Sequence, residues 1–267
     1  MVSYDDAAVP VRSEFSESHT RFWGRLASAG NWYSARQRIA IAQAVRDAGN
    51  CALCDARVDA LSPRTVQGTH DCTGGGSPIV AAEGDDSTDI DVAKELSSVE
   101  IEVVHTIVRD ASRITRSWYQ SLLDQGLTDA EYIEIVGTVV SMVSIDAFAD
   151  IIGVTKRPLP KPDTSTQPSR YRPTTATLSD QAWVPMVPVD NSNSPEADLW
   201  PAGRTGNVVR AMSLVPDEVR TLCDLSSAHY LAMALVRQPG VDAGRALNRS
   251  QIELVAGRVS ALNACYY

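Results

Sequence analysis

Basic residues, phenylalanine and cysteine are all scarce in this 267-residue chain. Lys and Arg number 24 against 33 Asp and Glu, giving a net charge of −9. A surplus of carboxylates repels phosphates, so attraction to nucleic acid or to an anionic membrane surface is not expected. The sequence reads as having no apolar run that approaches the roughly 20 residues of a membrane span. The opening stretch, MVSYDDAAVPVRSEFSE, is acidic and lacks the apolar core of a secretory signal. A cytoplasmic protein with no nucleic-acid or membrane partner is the expectation. Five cysteines are too few for a disulfide scaffold in a chain of this length, and their number is odd. Alternating strand patterns joined by tight-turn dipeptides are missing as well.

What is present points to helices. The 44% hydrophobic and 21% charged residues are ordinary for a globular chain, and the length allows one large domain or two smaller ones. Three segments open with a small polar residue followed three places on by Glu or Gln: Ser34 and Gln37, Thr128 and Glu131, Asn248 and Gln251. That spacing predicts a capping box, and each precedes an Ala/Val/Ile-rich run. The run after Thr128 is apolar nearly all round, which predicts a buried helix. In the run after Asn248, Ile252, Val255, Ala256, Val259 and Leu262 share one helical face. Further helices are expected over 99–108, 117–123 and 217–236, with Pro216 suited to a first turn. The class is all-α. Nine of the fourteen prolines fall in residues 155–207, which predicts an extended segment. Trp183, Val184, Met186, Val187 and Trp200 make that segment too apolar for a free tether, so part of it should dock. Residues 68–89 are rich in Gly and Asp and read as a long loop.

Cys51-Ala-Leu-Cys54 is the strongest local motif. Without a signal peptide such a pair reads as redox or metal chemistry. Residues i and i+3 share a helix face, so a second sulfur there can resolve a mixed disulfide. A metal version would add His70 and Cys72 from the loop, and an inert buried pair is the bland alternative. Helix, Gly or Asn break, then Cys occurs twice, ending in Gly49-Asn50-Cys51 and Asn263-Ala264-Cys265. The arrangement puts each sulfur near the start of a following helix, where the dipole favours a thiolate. His70 is the natural proton relay for the first pair. His105 and His229 read as core histidines, and Cys223 as packing. Glu253, twelve residues before Cys265, reads as a solvated position or a base for the thiol. Glu134 and Asp146, also twelve apart, read either as core polar partners or as a relic of duplication.

The segment RSQIELVAGRVSALNACYY resembles the core motif of the alkylhydroperoxidase D and carboxymuconolactone decarboxylase-like superfamily. That motif runs Glu, eleven residues, Cys-x-x-Cys, three residues, His, and Glu253 and Cys265 hold its first spacing. SARQRIAIAQAVRDAGNCALCDARVDALSP is similar to a divergent second copy. The resemblance implies an all-helical tandem: an arm over 1–19, a first unit over 20–157, a Pro-rich linker over 158–206, and a second, incomplete unit over 207–267. It implies a peroxidase-type oxidoreductase, often oligomeric, with Cys265, Glu253, Cys51 and Cys54 as catalytic residues. The substrate would be an organic peroxide and the reductant an external thiol, with no bound cofactor. Ile39 and Val58 stand where the first unit would carry the relay Glu and His. After Tyr267 the motif calls for its second Cys, and the expectation is a recoded UGA codon giving selenocysteine, as in a peroxidase-related selenoprotein branch. The uncovered apolar face of the last helix is then expected to be less stable or to need a partner. The competing readings are a non-redox decarboxylase-like enzyme and a non-enzymatic module with a zinc-bound or inert Cys pair.

Overall fold

The computed structural model describes residues 1–72, 90–180, 182–200, 203, 205–236, 238, 240–242, 244–263 and 265. Most of the loop expected over 68–89 therefore lies outside the described residues. The helices are α1 (Ser13–Ala27), α2 (Ala35–Asp47), α3 (Ala52–Asp59), α4 (Val92–Glu95), α5 (Ser98–Asp110), α6 (Arg116–Asp124), α7 (Asp129–Ile152), α8 (Asn207–Arg210), α9 (Pro216–His229), α10 (Met233–Val236) and α11 (Arg249–Leu262). Among the described residues there is no strand, only an isolated antiparallel bridge between Thr177 and Met186. The fold is all-α.

All three expected capping boxes form, at the starts of α2, α7 and α11. Each pairs a side-chain acceptor with an otherwise unpaired first-turn N–H. A fourth, Ser97 with Glu100, opens α5. Pro216 sits in the first turn of α9, as expected. Gly153 ends α7 in the left-handed region at φ 73°, which costs a glycine little.

Helix α7 is the central post, packed against α2, α5 and α9. It is long and apolar enough to cross a membrane by length and composition, which corrects the expectation that no run is. Half of its most apolar stretch is buried inside the protein. Two carboxylates on it are buried against arginines of α2. Glu134 accepts from Arg38 at 2.7 Å, and Asp146 takes a two-pronged contact from Arg46 at 2.8 and 2.9 Å. Glu134 and Asp146 are thus core polar partners. Glu218 of α9 reaches the same Arg38 nitrogen at 3.1 Å. Two carboxylates therefore share one guanidinium. Burial, with the Glu134 charge beside it, pushes Glu218 up to about 7 despite the pull of Arg38. Gly137 of α7 leaves the space that the Glu218 carboxyl occupies, and a Cβ there would collide with it.

The Pro-rich segment docks, as its apolar residues led us to expect. Val184, Met186, Val187 and Trp200 are buried, while Trp183 is partly exposed and stacks on Tyr119. Its backbone N–H groups bind carbonyls at and just after the end of α1: Asp163 to Ala27 at 2.6 Å and Arg170 to Asn31 at 2.8 Å. The expected domain boundaries do not coincide with breaks in packing. Helix α1 begins within the expected arm, at Ser13, and Val2 and Tyr4 are buried against Ala149 and Val154. Beyond residue 207, Leu214, Val215, Val219 and Leu225 belong to the same hydrophobic core as α1, α2 and α7. Helix α11 has no buried residue, and its Leu254, Val255, Val259 and Leu262 are exposed.

Candidate functional site

The site is built where α2 stops. A short 3-10 turn over Ala48–Asn50 redirects the chain, and Cys51 becomes the N-cap of α3. Cys54 lies one turn on, so both sulfurs face the same side. The two thiols are buried, with Cys51 at 0% and Cys54 at 4% exposure. The loop after α3 brings His70 over them, and its Nδ1 lies 3.5 Å from each sulfur. From below, His105 of α5 sets its Nδ1 3.4 Å from the Cys54 sulfur. His105 was expected to be an ordinary core histidine; it is buried, and it belongs to this cluster.

Both imidazoles point Nδ1 inward and use Nε2 outward. His70 Nε2 meets Glu102 Oε2 at 2.8 Å, and His105 Nε2 meets the Cys72 sulfur at 3.4 Å. Glu102 is the hub of the outer layer. It accepts from Arg57 at 2.7 Å, and from Arg64 and Thr106 at 3.1 Å. Burial alone would raise its pKa, but the His70 and Arg57 hydrogen bonds prevail and hold it at about 2.

The thiols are electrostatically unequal. Burial works against ionising Cys51, yet the backbone N–H groups of Cys54 and Asp71 and the His70 ring outweigh it, and its pKa is lowered. Of these, only the Cys54 N–H belongs to the start of α3; Asp71 and His70 come from the loop after it. Cys54 goes the other way, pushed up to about 12 by burial and by the neighbouring Cys51. Burial lowers His105 to about 3, so that ring is neutral at physiological pH. Beside the cluster opens a cleft of about 620 Å³ lined by Arg57, Arg64, His70, Glu102 and Trp118 among others. The Arg64 guanidinium lies 5.1 Å over the Trp118 ring. The cleft reaches His70 and Glu102, and the sulfurs lie behind them.

The second expected pair is elsewhere. Cys265 is exposed beyond the end of α11. The Glu253 carboxylate is taken up by Tyr230 Oη and Arg249 Nε, each at 2.6 Å. Cys223 packs against the core, as expected. His229 joins a partly buried chain: Tyr4 Oη to His19 Nδ1 at 2.6 Å, His19 Nε2 to His229 Nε2 at 2.6 Å, and His229 Nδ1 to Ser144 at 3.2 Å.

Of the site residues, Cys51, Cys54 and His70 were legible in the sequence, whereas Glu102 and His105 were missed. Their i, i+3 spacing within EIEVVHTIV places both on one face of α5, and that was the available signal. No family model, no curated protein and no solved structure matches this chain.

Proposed function

We propose that the chain is a thiol oxidoreductase that reduces an organic hydroperoxide through Cys51 and Cys54. The observation that carries this reading is the line from Cys51 through His70 to Glu102, with contacts of 3.5 and 2.8 Å. A thiol, an imidazole and a carboxylate in that order form an acid–base relay for an activated nucleophile. The resemblance to alkylhydroperoxidase D-like proteins left the first unit without its relay, since Ile39 and Val58 occupy those places. His70 and Glu102 supply one from other segments. Cys51 attacks the terminal peroxide oxygen, the O–O bond breaks, and the alkoxide leaves as alcohol with a proton carried by His70. Cys54 then displaces hydroxide from the sulfenic acid, giving a disulfide and water. An external thiol donor returns the pair to the dithiol. Residues 68–72, which carry His70, must move aside for the peroxide to reach the sulfurs.

In the wider reading the protein is cytoplasmic and oligomeric. Glu253 and Cys265 serve a second centre. The test of the first centre is peroxide consumption by the reduced chain with an excess of dithiol. Cys51→Ser is expected to abolish turnover. Cys54→Ser should retain one stoichiometric reduction and trap a sulfenic acid. Turnover that survives both substitutions would refute the assignment and favour a non-redox enzyme.

A further inference from the structure

We infer that Cys51, Cys54, His70 and His105 form a Zn²⁺ site, and that the bound ion and the Cys51–Cys54 disulfide exclude one another. The first half stands on geometry alone; the second half rests on the dithiol chemistry proposed above.

The four donor atoms lie within 4.8 Å of one another. Zinc binds thiolate at about 2.3 Å and imidazole at about 2.0–2.1 Å in a tetrahedron, which sets each S···N edge near 3.5 Å. Three of the four observed edges match, 3.5 Å from Cys51 to His70, 3.5 Å from Cys54 to His70 and 3.4 Å from Cys54 to His105, and the fourth, Cys51 to His105, lies within 4.8 Å. Ring orientation agrees independently. Each histidine turns Nδ1 to the centre and engages Nε2 with an outer acceptor, Glu102 for His70 and the Cys72 sulfur for His105. A carboxylate behind a ligating imidazole is the usual way to fix its tautomer and strengthen it as a ligand. Two thiolates and two neutral imidazoles form a borderline-soft set that suits Zn²⁺ and disfavours Mg²⁺ and Ca²⁺. The two thiolate charges also neutralise the ion, so a buried centre carries no net charge. Three separate segments converge here: the start of α3, the loop at His70 and the middle of α5. One ion would clip them together, and the burial of both sulfurs fits a metal-closed state.

Oxidation removes the ligands. Two electrons pass from the sulfur pair to the hydroperoxide, its O–O bond breaks, and two protons complete an alcohol and a water. The S–S bond forms, both Zn–S bonds break, and Zn²⁺ leaves with its two positive charges. Reduction by an external dithiol regenerates the ligand pair.

The experiment uses the full chain, reduced and stripped with a chelator, then titrated with Co²⁺ alone. One Co²⁺ per chain is expected, with a thiolate charge-transfer band and the intense visible bands of a tetrahedral ion. Zn²⁺ should then displace it. Cys51→Ser and His105→Ala should lose the site, Cys223→Ser should keep it, and Glu102→Ala should bind about 10–100-fold more weakly. A stripped wild-type chain that stays folded by circular dichroism yet shows no thiolate band overturns the site. Release is then followed with a zinc-chelating dye, using either cumene hydroperoxide or diamide, a thiol oxidant that is reduced to its hydrazine. One Zn²⁺ released per disulfide supports mutual exclusion; a disulfide formed with zinc retained overturns it. Release by diamide but not by the peroxide keeps both halves of this inference and refutes the peroxidase reading instead.

Discussion

Replacing Gly137 by alanine isolates the buried charge cluster that holds α2, α7 and α9 together. In an exposed helix the change would stabilise, since alanine is favoured over glycine by about 1 kcal/mol. Here the new methyl group would occupy the place of the Glu218 carboxyl. Glu218 is buried and accepts from Arg38 at 3.1 Å, so displacing its carboxyl breaks that contact. Above pH 7, where Glu218 carries its charge, disrupting one partner of a buried ion pair costs about 3–5 kcal/mol. Set against the helix gain, Gly137→Ala should destabilise by about 2–4 kcal/mol. For a chain of this size that lowers the Tm by roughly 5–15 °C. The sign should reverse when Glu218→Ala is made first, because the methyl group then enters space already cleared. A double-mutant cycle by urea unfolding should therefore show a coupling of about 3 kcal/mol or more between the two sites. Strict additivity, or a Gly137→Ala protein as stable as the parent, would refute the packing argument.

The same cluster sets a pH dependence. Glu218 has a folded pKa of about 7, above its usual 4.5, so the fold favours its protonated form. That contribution is complete below pH 4.5 and is lost as pH rises through 7, roughly 3 kcal/mol in all. Urea titrations should show this loss in the parent and its absence in Glu218→Gln. The His19–His229 pair slopes the other way. Burial lowers the two rings to about 3 and about 4. Their contribution is full above pH 6.5 and is lost as pH falls towards 3, which acid unfolding of a His19→Phe variant, with its smaller slope, should reveal. Arg46→Met should cost about 3–5 kcal/mol by stranding Asp146, and Arg46→Met combined with Asp146→Leu should cost markedly less, as thermal unfolding would show.

Short-range signals in the sequence carried far. The capping pairs at Ser34, Thr128 and Asn248 are complete within four residues, and all three form. The Gly49-Asn50 break placed Cys51 at a helix start for the same local reason. Pairings between distant segments were harder. His105 is 51 residues from Cys54 and sits in an apolar run that is equally apt for a core histidine. Glu134 and Asp146 could be seen to share a helix, but nothing local to them points to Arg38 and Arg46 of α2. The buried arginines are met by carboxylates 96, 100 and 180 residues away, which no local pattern announces. The packing of α9 into the main core was hidden by the Pro-rich segment, whose composition marks a linker even where it docks.

That packing bears on how the chain reaches its folded state. Helix α9 closes a structure that α1 begins: Arg12 donates to the Ala228 carbonyl across 216 residues, and Arg21 holds Asp224 at 2.7 and 2.9 Å. At about 5–20 residues per second, a ribosome needs roughly 10–40 s to span that interval. Throughout it, the faces of α1 and α7 that α9 will cover stand open, and Arg38 lacks its second carboxylate. Docking of α9 is a long-range closure and comes late on topological grounds. The nascent chain is thus most prone to aggregation, and most open to chaperone capture, after α7 has emerged and before α9 has.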